Sequence, residues 1–280
     1  MKKKIIIGFI VTFILFLSVL LWARFIGTKG LVVKEYGISV QISDNFDGLK
    51  IVHFSDLHYG MTINSDKLEE VVDKINFIKP DIVVFTGDLV DKKVSITDDE
   101  KSALINLLKS INASLGKYAV SGNHDISNFD NIMDQSGFEV LNNTYELIYN
   151  KNNNPILIAG VTSNLLDTAS IDEKLKSTYE FLSTNSIQYK ILLMHEPDFI
   201  DNIQSNTFNL VLSGHSHGGQ VRLPFVGALV KVIGAKKYYD SYYKVNNTDL
   251  YISSGLGTTW YKVRLFDKPS FNFYRIQKGS

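Results

Sequence analysis

Two imidazoles stand two positions apart in the string LSGHSHGGQ (212–220): His215 and His217, with glycines on either side. Polar groups of the same kind recur upstream in Ser55-Asp56-Leu57-His58, Gly87-Asp88-Leu89-Val90-Asp91, Ser121-Gly122-Asn123-His124-Asp125 and His195-Glu196-Pro197-Asp198. Taken singly, Asp56 or Asp88 reads as a turn or capping residue, and His124 or His195 as a satisfied structural histidine. Together they form a donor set. The 280 residues contain no cysteine, which removes thiolate ligands, disulfides and cysteine nucleophiles and leaves oxygen and imidazole as ligands. That chemistry suits Mn²⁺, Fe²⁺ or Zn²⁺. Asp56, His58, Asp88, Asn123, His195, His215 and His217 make seven donors, too many for one tetrahedral ion. Two ions about 3.5–4 Å apart, sharing a carboxylate and a hydroxide, use a set of this size, and such a pair carries out displacement at phosphorus.

Each group follows a short apolar run, and the runs must position them. LKIVHF (49–54), DIVVF (81–85), KYAV (117–120), YKILLM (189–194) and FNLVL (208–212) end in the polar strings, while ILIAGV (156–161) and LYISS (250–254) have the same character. Most are continuous rather than alternating, which predicts strands of a largely buried sheet. Helices are expected over Asp66 to Ile78 after the capping candidates Asn64 and Ser65, over Asp98 to Ile111 after the capping box Thr97-x-x-Glu100, and over Asp172 to Leu182. Alternation of this kind predicts an α/β layered domain. Strand carboxyl ends gather at one edge of such sheets, so donors scattered over some 160 residues converge in one crevice. Gly87, Gly122 and Gly214 are expected to turn the backbone sharply ahead of a ligand. His53, inside the first strand, is expected to be structural or surface, and Glu196 and Asp198 lie outside the ligand set, with Asp198 and Pro197 shaping a turn. Asp125 either supports a neighbouring ligand or caps the next segment, and GLGT (255–258) is expected to form a tight turn near the site. KNNNP (151–155) is expected to be an exposed loop.

The ordered blocks D-x-H, G-D, G-N-H, H and G-H-x-H, spread over roughly residues 50 to 218, resemble the signature of the calcineurin-like binuclear metallophosphoesterases. The longer strings GHSHGGQVRLP and SSGLGTTW resemble a bacterial branch of membrane-anchored phosphodiesterases, some of whose members cleave the pyrophosphate of UDP-2,3-diacylglucosamine. The resemblance implies a four-layer α/β/β/α sandwich. It also implies one ion on Asp56, His58 and His217, a second on Asn123, His195 and His215, Asp88 bridging them, and a hydroxide between the ions as nucleophile. His124 then faces the scissile phosphate without binding metal, and Asp91 matches the position that hydrogen-bonds this histidine and holds its tautomer.

The chain begins MKKK and continues with IIIGFIVTFILFLSVLLW (5–22), eighteen uncharged residues. As a helix that run spans about 27 Å, close to the hydrocarbon thickness of a bilayer. No small-x-small cleavage site follows Trp22, so an uncleaved anchor is expected, and three leading lysines are expected to stay in the cytoplasm. The reading is a single-pass protein of the cell membrane with an extracytoplasmic catalytic domain: helix 1–24, linker and leading strand 25–45, metallophosphoesterase domain 46–280. The first 24 residues hold four of the 29 basic residues and none of the 29 acidic ones, so the rest is mildly acidic and no nucleic-acid partner is expected. RLPFVGALVKVIGAKKYYDSYYKVNN (222–247) orders apolar, basic and aromatic residues as a membrane interface or a lipid-tail channel does, and ordinary packing against the sheet explains the same apolar residues. An amphiphilic phosphoester is one substrate class consistent with it. The expected reaction is hydrolysis of a phosphodiester or pyrophosphate. The alternatives are a phosphomonoesterase or protein phosphatase on the same metals, or a silent metal-binding scaffold.

Overall fold

A computed structural model describes residues 2–151, 154–259 and 261–279. Residues 152 and 153 of the expected 151–155 loop therefore lie outside the described residues. The chain opens with a long helix, α1 (Lys2–Phe25), apolar on all sides over most of its length and exposed apart from buried Ala23 and half-buried Trp22 and Arg24; it is long and apolar enough to cross a membrane.

Two six-stranded mixed sheets come after it. The first has the order β1–β14–β2–β3–β4–β5, from β1 (Val32–Val40), β2 (Leu49–Phe54), β3 (Ile82–Phe85), β4 (Gly116–Ala119), β5 (Glu139–Val140) and β14 (Ser270–Lys278). The second has the order β12–β13–β9–β8–β7–β6, from β6 (Thr144–Ile148), β7 (Ile156–Gly160), β8 (Lys190–Leu193), β9 (Leu210–Ser213), β12 (Tyr242–Val245) and β13 (Thr248–Ile252). A short hairpin, β10 (Arg222–Leu223) and β11 (Gly227–Ala228), stands apart.

The sheets pack face to face through Ile51, Val84, Val120, Ile191, Leu212 and Tyr274. The outer face of the first is covered by α2 (Ser65–Ile78), α3 (Asp98–Lys109) and α4 (Phe129–Gln135), and that of the second by α5 (Ile171–Lys174) and α6 (Lys176–Thr184). This is the expected four-layer α/β/β/α sandwich. Local signals hold it in place. Asn64 caps α2 by accepting from Lys67 N at 3.2 Å, and Leu68, Val71, Val72 and Ile75 bury one helical stripe. Thr97 and Glu100 close their capping box at the start of α3. The helix expected over Asp172 to Leu182 is instead two, broken at Leu175. Buried Lys174 explains the break: its Nζ donates to Thr162 O and Ser163 O, both at 3.1 Å, and draws the first turn inward.

Register delivers the polar strings to one edge. β2, β3 and β4 run parallel with Phe54, Phe85 and Ala119 level, so the loops after them leave together. β8 and β9 are parallel with Leu193 opposite Leu212, so His195 and Gly214 emerge side by side.

Candidate metal centre

The donors meet in the crevice between the two sheet edges. Backbone bonds stitch the loops together: Asp56 N donates to Gly87 O at 2.9 Å, His58 N to Asp88 O at 3.0 Å, and Gly214 N to His195 O at 3.1 Å. Gly87 takes φ +92°, the turn expected of it. Gly122 and Gly214 do not take a left-handed φ, and their requirement is space. A Cβ on Gly122 would lie 2.4 Å from Asp88 Oδ1, and one on Gly214 would lie 2.7 Å from Asp56 Oδ2. The left-handed conformations fall on the donors instead: Asp56, His58, Asp88, His215 and His217 all have φ between 41° and 67°.

Two groups of donor atoms contain the expected ligands, and a third, of His58, Asp91 and His124, shares His58 with the first. In the first, His58 Nε2 lies 3.1 Å from His217 Nε2, which lies 3.4 Å from Asp56 Oδ1. In the second, His195 Nε2 lies 3.2 Å from His215 Nδ1, 3.2 Å from Asn123 Oδ1 and 3.3 Å from Asp88 Oδ2. Asp88 Oδ2 is also 3.5 Å from His58 Nε2, so one carboxylate faces both groups. All but Asn123 are buried.

The other ring nitrogens show where the protons sit. His195 Nδ1 donates to Thr86 O at 2.6 Å, and His215 Nε2 donates to Ile233 O at 2.7 Å. His58 Nδ1 is 3.3 Å from Asp91 Oδ2. At His195 and His215 that hydrogen points outward, which leaves the inward nitrogen facing carboxylates and other ring nitrogens. Only cations complete such a cluster, and the donor set fits two divalent ions.

Without a divalent ion, protons hold the cluster together, and a bound ion displaces them. Burial raises Asp88, but His195 and His58 outweigh it and hold the carboxyl well below its usual range. Burial likewise opposes ionisation of His195, but Asp88 carries it well above its ordinary value. His217 falls well below through burial and the neighbouring His58. Asp91 is held at about 2, first by its hydrogen bond with His58. Its Oδ2 also lies 3.3 Å from His124 Nδ1, so one carboxylate serves two imidazoles. Burial lowers His124 to about 4.

Asp125 supports the site rather than capping the next segment, accepting from Asp88 N at 2.7 Å, Gly122 N at 2.8 Å and Leu89 N at 2.9 Å. His53 is structural: fully buried, it bridges Thr86 Oγ1 at 2.8 Å and Tyr274 OH at 3.2 Å. Glu196 turns away to accept from Ser163 Oγ and Asn164 N, and Asp198 ties down the next turn by accepting from Lys236 N, Lys237 N and Tyr238 N. The loop after β13 does more than turn. Gly257 N donates to Asp56 O at 2.8 Å, and Leu256 N to Ser55 O at 3.2 Å. Arg264, which no motif in the sequence singles out, is wholly buried and donates to Ser254 O and Gly257 O, both at 2.7 Å. An arginine set in the apolar string VRLF was the available signal for it.

Residues 49–219 match the family model described as calcineurin-like phosphoesterase. The chain belongs to that family. The metallophosphoesterase is 33% identical over 262 residues to the uncharacterized metallophosphoesterase YkuE of Bacillus subtilis, covering 91% of this chain and 89% of that relative. It is 27% identical over 231 residues to a zebrafish (Danio rerio) transmembrane protein with metallophosphoesterase domain, covering 78% of this chain and 50% of that one. Among solved structures, the calcineurin-like phosphoesterase YfkN of Bacillus subtilis aligns over 75% of this chain and 82% of its own, at 15% identity and a TM-score of 0.45. This metallophosphoesterase is thus a metal-dependent hydrolase with buried histidine and aspartate metal-binding groups and an exposed apolar helix at its amino terminus.

Proposed function

We propose that the protein hydrolyses a phosphodiester or pyrophosphate bond in a cell-envelope or lipid-linked substrate. On this reading residues 1–24 anchor it, 25–45 connect, and 46–280 form an extracytoplasmic catalytic domain. Asp56, His58 and His217 hold one divalent ion, Asn123, His195 and His215 hold the other, and Asp88 serves both. The observation that carries the reading is Asp88 Oδ2 standing 3.5 Å from one donor group and 3.3 Å from the other. A divalent pair bound there supplies a water-derived nucleophile at neutral pH and positive charge opposite the phosphoryl oxygens.

The chain's own groups supply the rest. Asp91 Oδ2 lies 3.3 Å from His124 Nδ1, which also accepts from Lys92 N at 3.4 Å, and on this reading these contacts on Nδ1 leave Nε2 to face the leaving oxygen. In the free protein His124 is neutral at pH 7, with its pKa near 4. A bound phosphoester places negative charge beside Nε2 and raises that value, so the imidazolium that donates the proton forms with substrate in place.

The arginines favour a singly charged diester over a dianionic monoester. Arg222 is engaged by Asp240 at 2.5 Å and Gly218 O at 2.9 Å, Arg264 is buried in backbone contacts, and Arg275 pairs with Glu35 at 2.5 Å. None clamps a terminal phosphate. The test is Mn²⁺-dependent hydrolysis of a chromogenic bis-aryl phosphate and of its monoester by the detergent-solubilised full chain, with His124→Ala as control. Faster diester turnover, lost in the variant and on chelation, is the expected result. Faster monoester turnover turns the reading to a phosphomonoesterase, and no turnover with two metal equivalents bound turns it to a scaffold.

A further inference from the structure

The segment after the last donor is exposed in an unusual way. Leu223, Phe225, Val226, Leu229, Val230 and Ile233 are all large, apolar and exposed within eleven residues, with Phe225 fully so. Water penalises such a patch, and on soluble surfaces contiguous apolar area of this kind marks an interaction site. Phe225 is also held at φ 66°, a conformation bulky side chains avoid, so the backbone itself holds this ring out. A second aromatic, Phe266, is 63% exposed at φ 54°.

These residues are tied to the end of α1. Val221 bridges Leu265, Arg222 N donates to Leu265 O at 2.9 Å, and Leu265 N donates to Gln220 O at 2.8 Å, so the β10–β11 hairpin hangs on strip 261–266. The same strip meets the helix: Arg264 N donates to Ala23 O at 3.0 Å, and the Trp22 and Phe266 rings lie 6.2 Å apart. Gly27 packs so close that a Cβ there would lie 1.8 Å from Arg264 O. The hairpin, Tyr261 and Phe266 are therefore held beside the point where the helix ends. Lys231, whose Nζ sits 3.7 Å over the Tyr239 ring, and Lys262 and Lys268 add basic groups to the same rim.

We infer that this rim rests in the headgroup and acyl boundary of the bilayer that α1 spans, so that the catalytic crevice opens against the membrane surface. The inference rests on α1 being a membrane span. Apolar and aromatic side chains with flanking lysines are what such a boundary accepts, at a depth of about 5–10 Å. The continuity of the rim with the helix end selects lipid over a second protein as occupant. A cavity of about 290 Å³ opens between the hairpin and the strip, lined by Val221, Val230, Val232, Tyr261 and Val263 and reaching His217. Ile233 O also accepts from His215, so seating the rim bears directly on a donor of the metal centre. A phosphoester whose apolar part stays in the membrane then reaches the donors without leaving the surface.

The absence of native cysteine makes the test direct. Single-cysteine full-length variants Phe225→Cys, Val226→Cys, Ile14→Cys and Phe77→Cys, labelled with an environment-sensitive fluorophore, are placed in nanodiscs containing nitroxide lipids quenching at shallow or deep positions. Phe77 is 88% exposed near the end of α2, a helix that starts at the crevice edge and runs to the opposite one, so it reports the surface facing away. Expected are loss of emission with shallow quenchers at 225 and 226, loss with deep quenchers at 14, and none at 77. Quenching at 14 with none at 225 and 226 overturns the rim and leaves the span intact. No quenching at any position overturns both. A blue shift at 225 without lipid quenching also overturns the inference, because it assigns the patch to a second protein. Quenching at 225 but not at 14 removes the span and overturns the inference, which rests on it.

Discussion

Five donors sit in the left-handed region, where each residue costs on the order of 1 kcal/mol or more. The cost falls on Asp56, His58, Asp88, His215 and His217, while Gly122 and Gly214, ahead of Asn123 and His215, are needed only for room. A fold keeps such conformations where the direction of a side chain matters more than its comfort, and here the directions converge on two points between the sheets. The donors are not equivalent. Asp88 faces both groups, whereas His124 meets the centre through Asp91, through its ring set edge-on to His58 at 4.7 Å, and through its backbone N–H, which donates to Asp88 Oδ1 at 2.8 Å. Asp88→Asn is therefore expected to lose bound metal as well as rate. His124→Ala is expected to keep both ions and lose about 10²–10⁴-fold in turnover, the usual contribution of a proton donor. Elemental analysis of the two purified variants checks this, and equal metal content in both rejects the division of roles.

At the scale of elements, the last loop and its arginine hold the first donor. Gly255 packs so that a Cβ would lie 2.7 Å from Asp56 Cβ, Gly257 N bonds Asp56 O, and Arg264 gathers the carbonyls of Ser254, Gly255 and Gly257 around its guanidinium. Arg264→Gln strands those carbonyls and takes from buried Asp267 its nearest cation, leaving Lys34 at 3.8 Å. The expected loss is about 3–5 kcal/mol, as for a buried charge deprived of its partner, together with weaker metal binding at Asp56. Urea unfolding and metal titration measure the two effects; an unchanged midpoint with unchanged affinity rejects the linkage. Sequence made some of this legible and hid the rest for definite reasons. The strands that deliver donors were visible because each is a continuous β-branched run closed by polar residues. β14 was not: SFNFYRIQK mixes polar and apolar residues, and its place between β1 and β2 comes from pairing across more than 200 residues. Thr86 O and Ile233 O, which set the tautomers of His195 and His215, are backbone groups, and no residue type announces them. The single helix expected over 172–182 missed the pull of Lys174, a tertiary contact that overrides propensity.

For the molecule as a whole, the proposed anchor fixes how the leading lysines and the crevice are disposed to one another. α1 carries Lys2, Lys3 and Lys4 at one end and meets the catalytic domain at the other, where Ala23, Gly27 and Thr28 are buried against it. Domain and lysines are thus held at opposite ends of α1, and if α1 spans a bilayer as proposed, the domain takes the face opposite the lysines. On the proposed reading, retention of the basic residues in the cytoplasm gives an extracytoplasmic domain. Phe77→Cys is expected to react with a membrane-impermeant maleimide in intact cells expressing the full chain, and Lys2→Cys only after the membrane is permeabilised. With no native thiol in the protein, any label on it reports the introduced position. The reverse pattern places the crevice on the cytoplasmic leaflet and moves the search for substrate from envelope polymers to lipids facing the cell interior. The metal chemistry is the same on either side, because it depends on the donor set alone.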